Sequence, residues 1–179
     1  MSALLRSKLP AAYSEGFNPH LKVSFATALG VGVTSDCEYV DFELAENIRS
    51  NEVMTRLNQQ LPTGAEIVRI KKITGKVPAL MSAVDFSRYE VIVAGNFNSA
   101  AIDNFNKAQE IMFTRVTPKH TREIEIKSYL AEPVKISKQD NDLLITFGVK
   151  MTAEGTVKPS EILKVLRDYG LNIEVAAAK

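Results

Sequence analysis

Between His20 and Phe25 the chain alternates, with Leu21, Val23 and Phe25 set against His20, Lys22 and Ser24, the period of two that marks a half-buried strand. EYVDFEL repeats the pattern: Val40, Phe42 and Leu44 share one face while Tyr39, Asp41 and Glu43 take the other. LGVG, Leu29 to Gly32, reads as a turn between the two. The spacing then changes. Val53, Met54, Leu57 and Leu61 recur at helical intervals behind Ser50, an expected N-cap, and Pro62 to Gly64 ends the run. EIVRIKKI, up to Ile73, returns to alternation and predicts a third strand.

Met1 to Leu9 reads as the tail of an amphipathic helix, with Leu4, Leu5 and Leu9 on one side, Arg6 and Lys8 on the other, and Pro10 as its stop. No capping signal precedes it. The first half therefore runs helix end, strand, strand, helix, strand, which is a ferredoxin-like βαββαβ unit without its first strand and most of its first helix. On that reading an upstream segment belongs to the fold. Its absence should leave the first sheet split or with open edges beside Val23 or Val40.

TGKVPALMSAVD, Thr74 to Asp85, has no sustained period and suits a connection between domains. Beyond it the order restarts: YEVIVAG as a strand, SAAIDNFNKAQEI as a helix, MFTRVT as a strand closed by the PKHT turn, REIEIKSYL and PVKI as short extended pieces, and LLITFGVK as a long strand. PSEILKVLRDY follows as a helix with Pro159 in its first turn and Gly170 just past its end, and LNIEV closes as a strand. The expected class is α+β with tandem ferredoxin-like units: residues 1–77, a connection over 78–88, and a second unit with an insertion over 89–179.

Lys and Arg total 22 against 21 for Asp and Glu, so a net charge of +1 provides no global field for a polyanion. Any nucleic-acid contact must come from a local patch. No apolar run reaches the roughly 18 residues of a membrane span, and the single cysteine, Cys37, offers no internal disulfide and fits a reducing cytoplasm. Cys37 precedes a strand pattern and reads as a buried or half-buried structural thiol. With His20 and His120 it supplies no close ligand pair, so no metal site is expected.

The densest candidate chemistry lies in YSEGFNPHLKVSFA, Tyr13 to Ala26. Gly16, Asn18 and Pro19 make a tight, stiff loop whatever its role. The structural reading stops there, with Phe17 anchoring the loop and Phe25 in the core. The functional reading has Tyr13, Ser14, Gly16, Asn18, His20 and Lys22 presenting polar groups to a ligand on a rigid platform. No triad or nucleophile-elbow pattern surrounds Ser14, so catalytic residues are not assigned. Two basic clusters, Arg69, Lys71, Lys72 and Lys76 in the first half and Arg115, Lys119, His120 and Arg122 in the second, are either ordinary polar surface or contacts for phosphate and RNA.

The run LLRSKLPAAYSEGFNPHLKVSFATALGVGVTSDCEYVDFELAE resembles a bacterial family of uncharacterised, radical-SAM-associated proteins that carry a YSxGFNPHPK motif. The chain departs from the family pattern at Leu21, where proline is usual, and at Lys8, where a small residue is usual. Weaker likeness continues through LPTGAEI, KHTREIEIKSYL and VKPSEILKVL. The resemblance implies a non-catalytic companion that acts with a radical SAM enzyme and presents a substrate, the alternatives being a stand-alone RNA-directed enzyme or a purely structural protein. It also implies an upstream strand and a helix bearing a Ser/Gly-His-Leu-Asp segment. An iron-sulfur cluster and S-adenosylmethionine are expected only on the partner, since one cysteine cannot supply a CxxxCxxC motif. The RNA reading comes from the likeness of ferredoxin-like repeats to those of RNA-processing proteins.

Overall fold

In a computed structural model, residues 2–27, 29–30, 33–75, 77–118, 120–152 and 154–174 are described. The chain divides into two compact units, Met1–Ala83 and Val84–Lys179. Both mix α and β, with antiparallel pairing throughout their sheets.

The first unit is held by little apolar contact. Helix α1, Ser2–Arg6, buries Leu4 but leaves Leu5 exposed, so the apolar side expected to carry both carries one; consecutive residues sit about 100° apart on a helix. Lys8 ends the helix with φ of 54°, a left-handed residue of the kind glycine usually supplies. Strands β1, Val23–Phe25, and β2, Val40–Phe42, pair antiparallel, Val23 opposite Phe42 and Phe25 opposite Val40. Helix α2, Ser50–Asn58, turns Val53 and Leu57 onto Leu4 and Leu9. Its N-cap is Arg49, which makes no side-chain cap bond, and Ser50 is the first helical residue instead of the expected cap. A short turn of helix, α3, Leu80–Ala83, completes the unit.

The predicted third strand over EIVRIKKI is not formed. Alternation makes a strand only if a ladder neighbour receives it, and among the described residues this segment has none. Ile67 and Ile70, three apart, pack on the Leu4 cluster, while Val68 is 84% exposed. In place of a neighbouring strand, the Asn58 side chain holds the segment: Ile67 N–H donates to Asn58 Oδ1 at 2.8 Å and Asn58 Nδ2 donates to the Ile67 carbonyl at 3.1 Å.

The second unit has a continuous core. β3, Phe86–Ala94, pairs along its whole length with β7, Asp142–Lys150, whose other edge takes β6, Lys135–Gln139. Along β7 the residues Leu143, Ile145, Phe147 and Val149 are all buried, facing helices α4, Ser99–Lys107, and α6, Pro159–Asp168. On the far side of β3, Ile173 bridges Gly95 antiparallel, with Asn96 N–H on the Asn172 carbonyl and Glu174 N–H on that of Ala94. Gly95 permits this approach, because a Cβ there would lie 2.4 Å from the Asn172 carbonyl oxygen. The order across the sheet is thus residues 172–174, β3, β7, β6, with α4 and α6 in the connections.

Between α4 and β6 the chain inserts a hairpin, β4, Met112–Val116, with β5, Thr121–Glu125, then a single turn α5, Ile126–Tyr129. REIEIKSYL is therefore extended only to Glu125. The Glu125 carboxylate accepts N–H bonds from Lys127 and Ser128 and curls the chain into a turn. Asn106 in α4 repeats the device of Asn58, its amide exchanging two bonds with the backbone of Val134 just before β6.

Candidate functional site

At its base the Tyr13–Lys22 loop is closed by a ring of three backbone bonds. Ala12 N–H donates to Glu43, Glu43 N–H to Lys22, and Lys22 N–H to Ala12, at 2.9, 3.0 and 3.0 Å. Over this ring Lys22 Nζ meets Glu43 Oε2 at 2.8 Å, and the carboxylate raises the lysine pKa by hydrogen bond and charge. Continuing the β1–β2 register, with Val23 opposite Phe42, sets these two side chains across from one another. The alternation of EYVDFEL places Glu43 on the polar face, where it meets Lys22.

Two residues further in from each side, the loop is latched again. Ser14 N–H donates to the His20 carbonyl at 2.8 Å, and His20 N–H returns to Ser14 Oγ at 2.9 Å. Tyr13 bridges Leu21 beside it. Gly16 takes φ of +120°, a backbone state that suits glycine, and lets the chain reverse. Two of the six loop candidates thus work internally: Ser14 is the latch and Lys22 is paired. The side chains left outward are those of Tyr13, Asn18 and His20, all exposed.

Phe17 corrects the structural reading. It does not anchor the loop; at 102% relative exposure it stands at the tip in solvent. Phe25, expected in the core, is also exposed, because β1 has run past the small cluster it packs on. Cys37 is exposed instead of buried. Its neighbour Tyr39 has a pKa raised first by the hydrogen bond and then by the charge of that thiol, and Arg69 opposes the shift from nearby. Arg69 and Lys71 are exposed on the unpaired segment, and Lys72 Nζ donates to Asn47 Oδ1 at 2.7 Å. Lys76 and Lys119 lie outside the described residues, as do Val31 and Gly32 of the expected turn.

In the second unit, His120 closes a loop just as His20 does. Thr117 N–H donates to the His120 carbonyl at 2.8 Å and His120 N–H to Thr117 Oγ1 at 3.0 Å, at the tip of the β4–β5 hairpin. The imidazole-bearing residue is exposed, as is Arg122. Arg115 is not available in this way. Its Nε and Nη2 form a two-pronged pair with Glu161, both at 2.6 Å, and Nη2 also donates to the Thr156 carbonyl at 2.8 Å. The side chains are only 16% and 8% exposed. This part-buried guanidinium is thus engaged by Glu161 and Thr156, unlike the exposed Arg122.

Glu161 also accepts the Lys158 N–H at 2.8 Å, the carboxylate half of a capping box at the start of α6. Burial pushes its carboxyl upward, but the bonds from Arg115 and Lys158 outweigh this and leave it below the usual carboxylate range. Glu125 is lowered likewise, its burial offset by N–H bonds from Ile111, Lys127 and Ser128.

Among the described residues no group of three or more His, Cys, Asp or Glu is arranged to hold a metal ion, and no helix is long and apolar enough to cross a membrane. Comparison with curated proteins and with solved structures finds no match. A family match, in contrast, spans residues 2–159 and takes in both the latched loop and the hairpin. The chain belongs to the family described as an uncharacterized protein conserved in bacteria (DUF2344).

Proposed function

We propose that the protein is an accessory, substrate-binding module that acts in the cytoplasm with a radical SAM enzyme on RNA or an RNA-linked substrate, the cluster and S-adenosylmethionine residing on the partner. The observation that carries this reading is the doubly latched loop. Bonds that fix its backbone at Ser14–His20 and at Ala12–Lys22–Glu43 leave Tyr13, Asn18 and His20 outward on a fixed frame, which is how a site positions a ligand. Radical SAM association rests on the motif resemblance. RNA rests on the exposed cations Arg69, Lys71 and Arg122 together with His120.

Tandem ferredoxin-like units are part of the same proposal. For the second unit the support is its sheet order, residues 172–174, β3, β7, β6, which a βαββαβ chain with an inserted hairpin would produce. For the first, support is limited to the succession of paired strands, helix and extended segment, and to the Asn58 clamp that matches Asn106.

The test replaces outward side chains and spares the latch. Asn18→Ala and His20→Ala, assayed with the radical SAM partner, should lose most partner-dependent turnover at unchanged thermal stability. Equal loss of stability and turnover would reduce the loop to a turn, and turnover by the protein alone would favour the RNA-directed enzyme. Separately, Lys71→Glu and Arg122→Glu should weaken RNA binding and flatten its dependence on salt, each lost phosphate contact lowering the slope by about one.

A further inference from the structure

Strand β4 lies along α6 in the opposite sense. Arg115 meets Glu161 in the helix's first turn, and two residues earlier Phe113 lines a shallow, open depression with Lys164, Arg167 and Asp168 toward the helix end. Its volume is about 500 Å³, within the range of small-ligand sites. Phe113 packs one side on the core and is half-buried. Lys164 and Arg167 are exposed, three positions apart on one face, and hold no salt bridge among the described residues. The contrast with Arg115 is direct: the cation next along the same groove is neutralised, and these two are not.

We propose that this depression takes one nucleotide unit. The base lies against the open side of Phe113, the phosphate is held by Lys164 and Arg167, and the Asp168 carboxylate accepts a bond from a base amino group or a ribose hydroxyl. A ring, two cations and one acceptor are the complement such a unit needs, and an open floor admits a nucleotide within a strand as readily as a free one. That the unit belongs to RNA rests on the function proposed above; the nucleotide chemistry does not.

Adenosine monophosphate, inorganic phosphate and a labelled adenine octaribonucleotide are titrated into the full chain and its amide shifts followed by NMR. The nucleotide should shift residues 112–114 and 164–168 more than phosphate does. The double variant Lys164→Gln, Arg167→Gln alters only exposed groups and should keep the fold while weakening the oligonucleotide about tenfold or more; Phe113→Leu should weaken it several-fold. Undiminished binding by the double variant overturns the assignment, as do phosphate shifts equal to those of the nucleotide, which leave a bare anion patch. Oligonucleotide binding lost in Lys71→Glu and Arg122→Glu but intact in the depression variants sinks this inference and spares the RNA reading. Nucleotide shifts at the depression without oligonucleotide binding support the inference and sink RNA.

Discussion

The two units fix their loops by the same bond and their cores by different means. In each, a histidine backbone closes onto a hydroxyl residue, Ser14 with His20 and Thr117 with His120, leaving the histidine exposed. In the second unit that hairpin sits on a core in which Phe105, Ile145, Phe147 and Leu166 are all but fully buried. In the first the corresponding cluster is Leu4, Leu9, Val53 and Leu57, and Phe17, Phe25 and Val68 remain exposed. At Tyr13–Lys22, four backbone–backbone bonds and one to Ser14 Oγ thus close the loop where burial does not. A site can be locally rigid where its surroundings are thinly packed, provided the bonds close rings.

The strongest way to break the comparison is at the ion pairs. Glu161→Ala leaves the part-buried Arg115 guanidinium without its carboxylate and should cost the second unit about 3 kcal/mol, read from thermal or denaturant unfolding followed at β7. Glu43→Ala removes an exposed pair, and unfolding of the first unit should hardly move. The sign with pH follows. Glu161 and Glu125 both have folded-state pKa values below the ordinary 4.5, so the stability they contribute is present above that value and is lost as pH falls through the lowered folded-state values. Unfolding midpoints of the second unit should be level from neutral to about pH 5 and drop below it, more shallowly in Glu161→Gln.

A smaller effect separates the two asparagine clamps. Asn58→Ala and Asn106→Ala each leave a backbone N–H and carbonyl without their partner, at a cost of about 1–3 kcal/mol. Loss at Asn106 should spread through the cooperative second unit, and loss at Asn58 should free residues 66–73 alone; amide exchange distinguishes the two. Should both spread equally, the units are alike in cooperativity and the comparison fails.

What could be read from the sequence follows the range of the interactions. α6 was legible because its signals are local: Pro159 in the first turn, Ile162, Leu163, Val165 and Leu166 at helical spacing, and Gly170, at φ of 92°, past the end. β7 was legible from alternation, since β3 and β6 lie on its two edges to use it. EIVRIKKI carries the same alternation without a neighbour. The role of Arg115 depends on Glu161, 46 positions away, and no local pattern encodes that. In the site, the loop's stiffness could be read from Gly16, Asn18 and Pro19, but which side chains it consumes could not. Ser14 and Lys22 look as available in sequence as His20 does.

A predicted gain in stability sharpens the comparison at one residue. Lys8 occupies a left-handed position at the end of α1, a conformation that glycine adopts without the strain a Cβ brings. Lys8→Gly should stabilise the first unit by about 1 kcal/mol, measured by denaturant unfolding. A loss of stability would mean that the lysine side chain has a role of its own.

The most direct test is residue-resolved amide hydrogen exchange across Ala12 to Glu43. The five amides of the ring and the latch, Ala12, Ser14, His20, Lys22 and Glu43, donate to the protein, whereas Glu15, Phe17 and Asn18 between the latches have no such acceptor among the described residues. Slow exchange at the five and fast exchange at the three is the predicted result. Uniformly fast exchange from Ala12 to Lys22 would contradict it, leaving no fixed frame on which Tyr13, Asn18 and His20 could position a ligand.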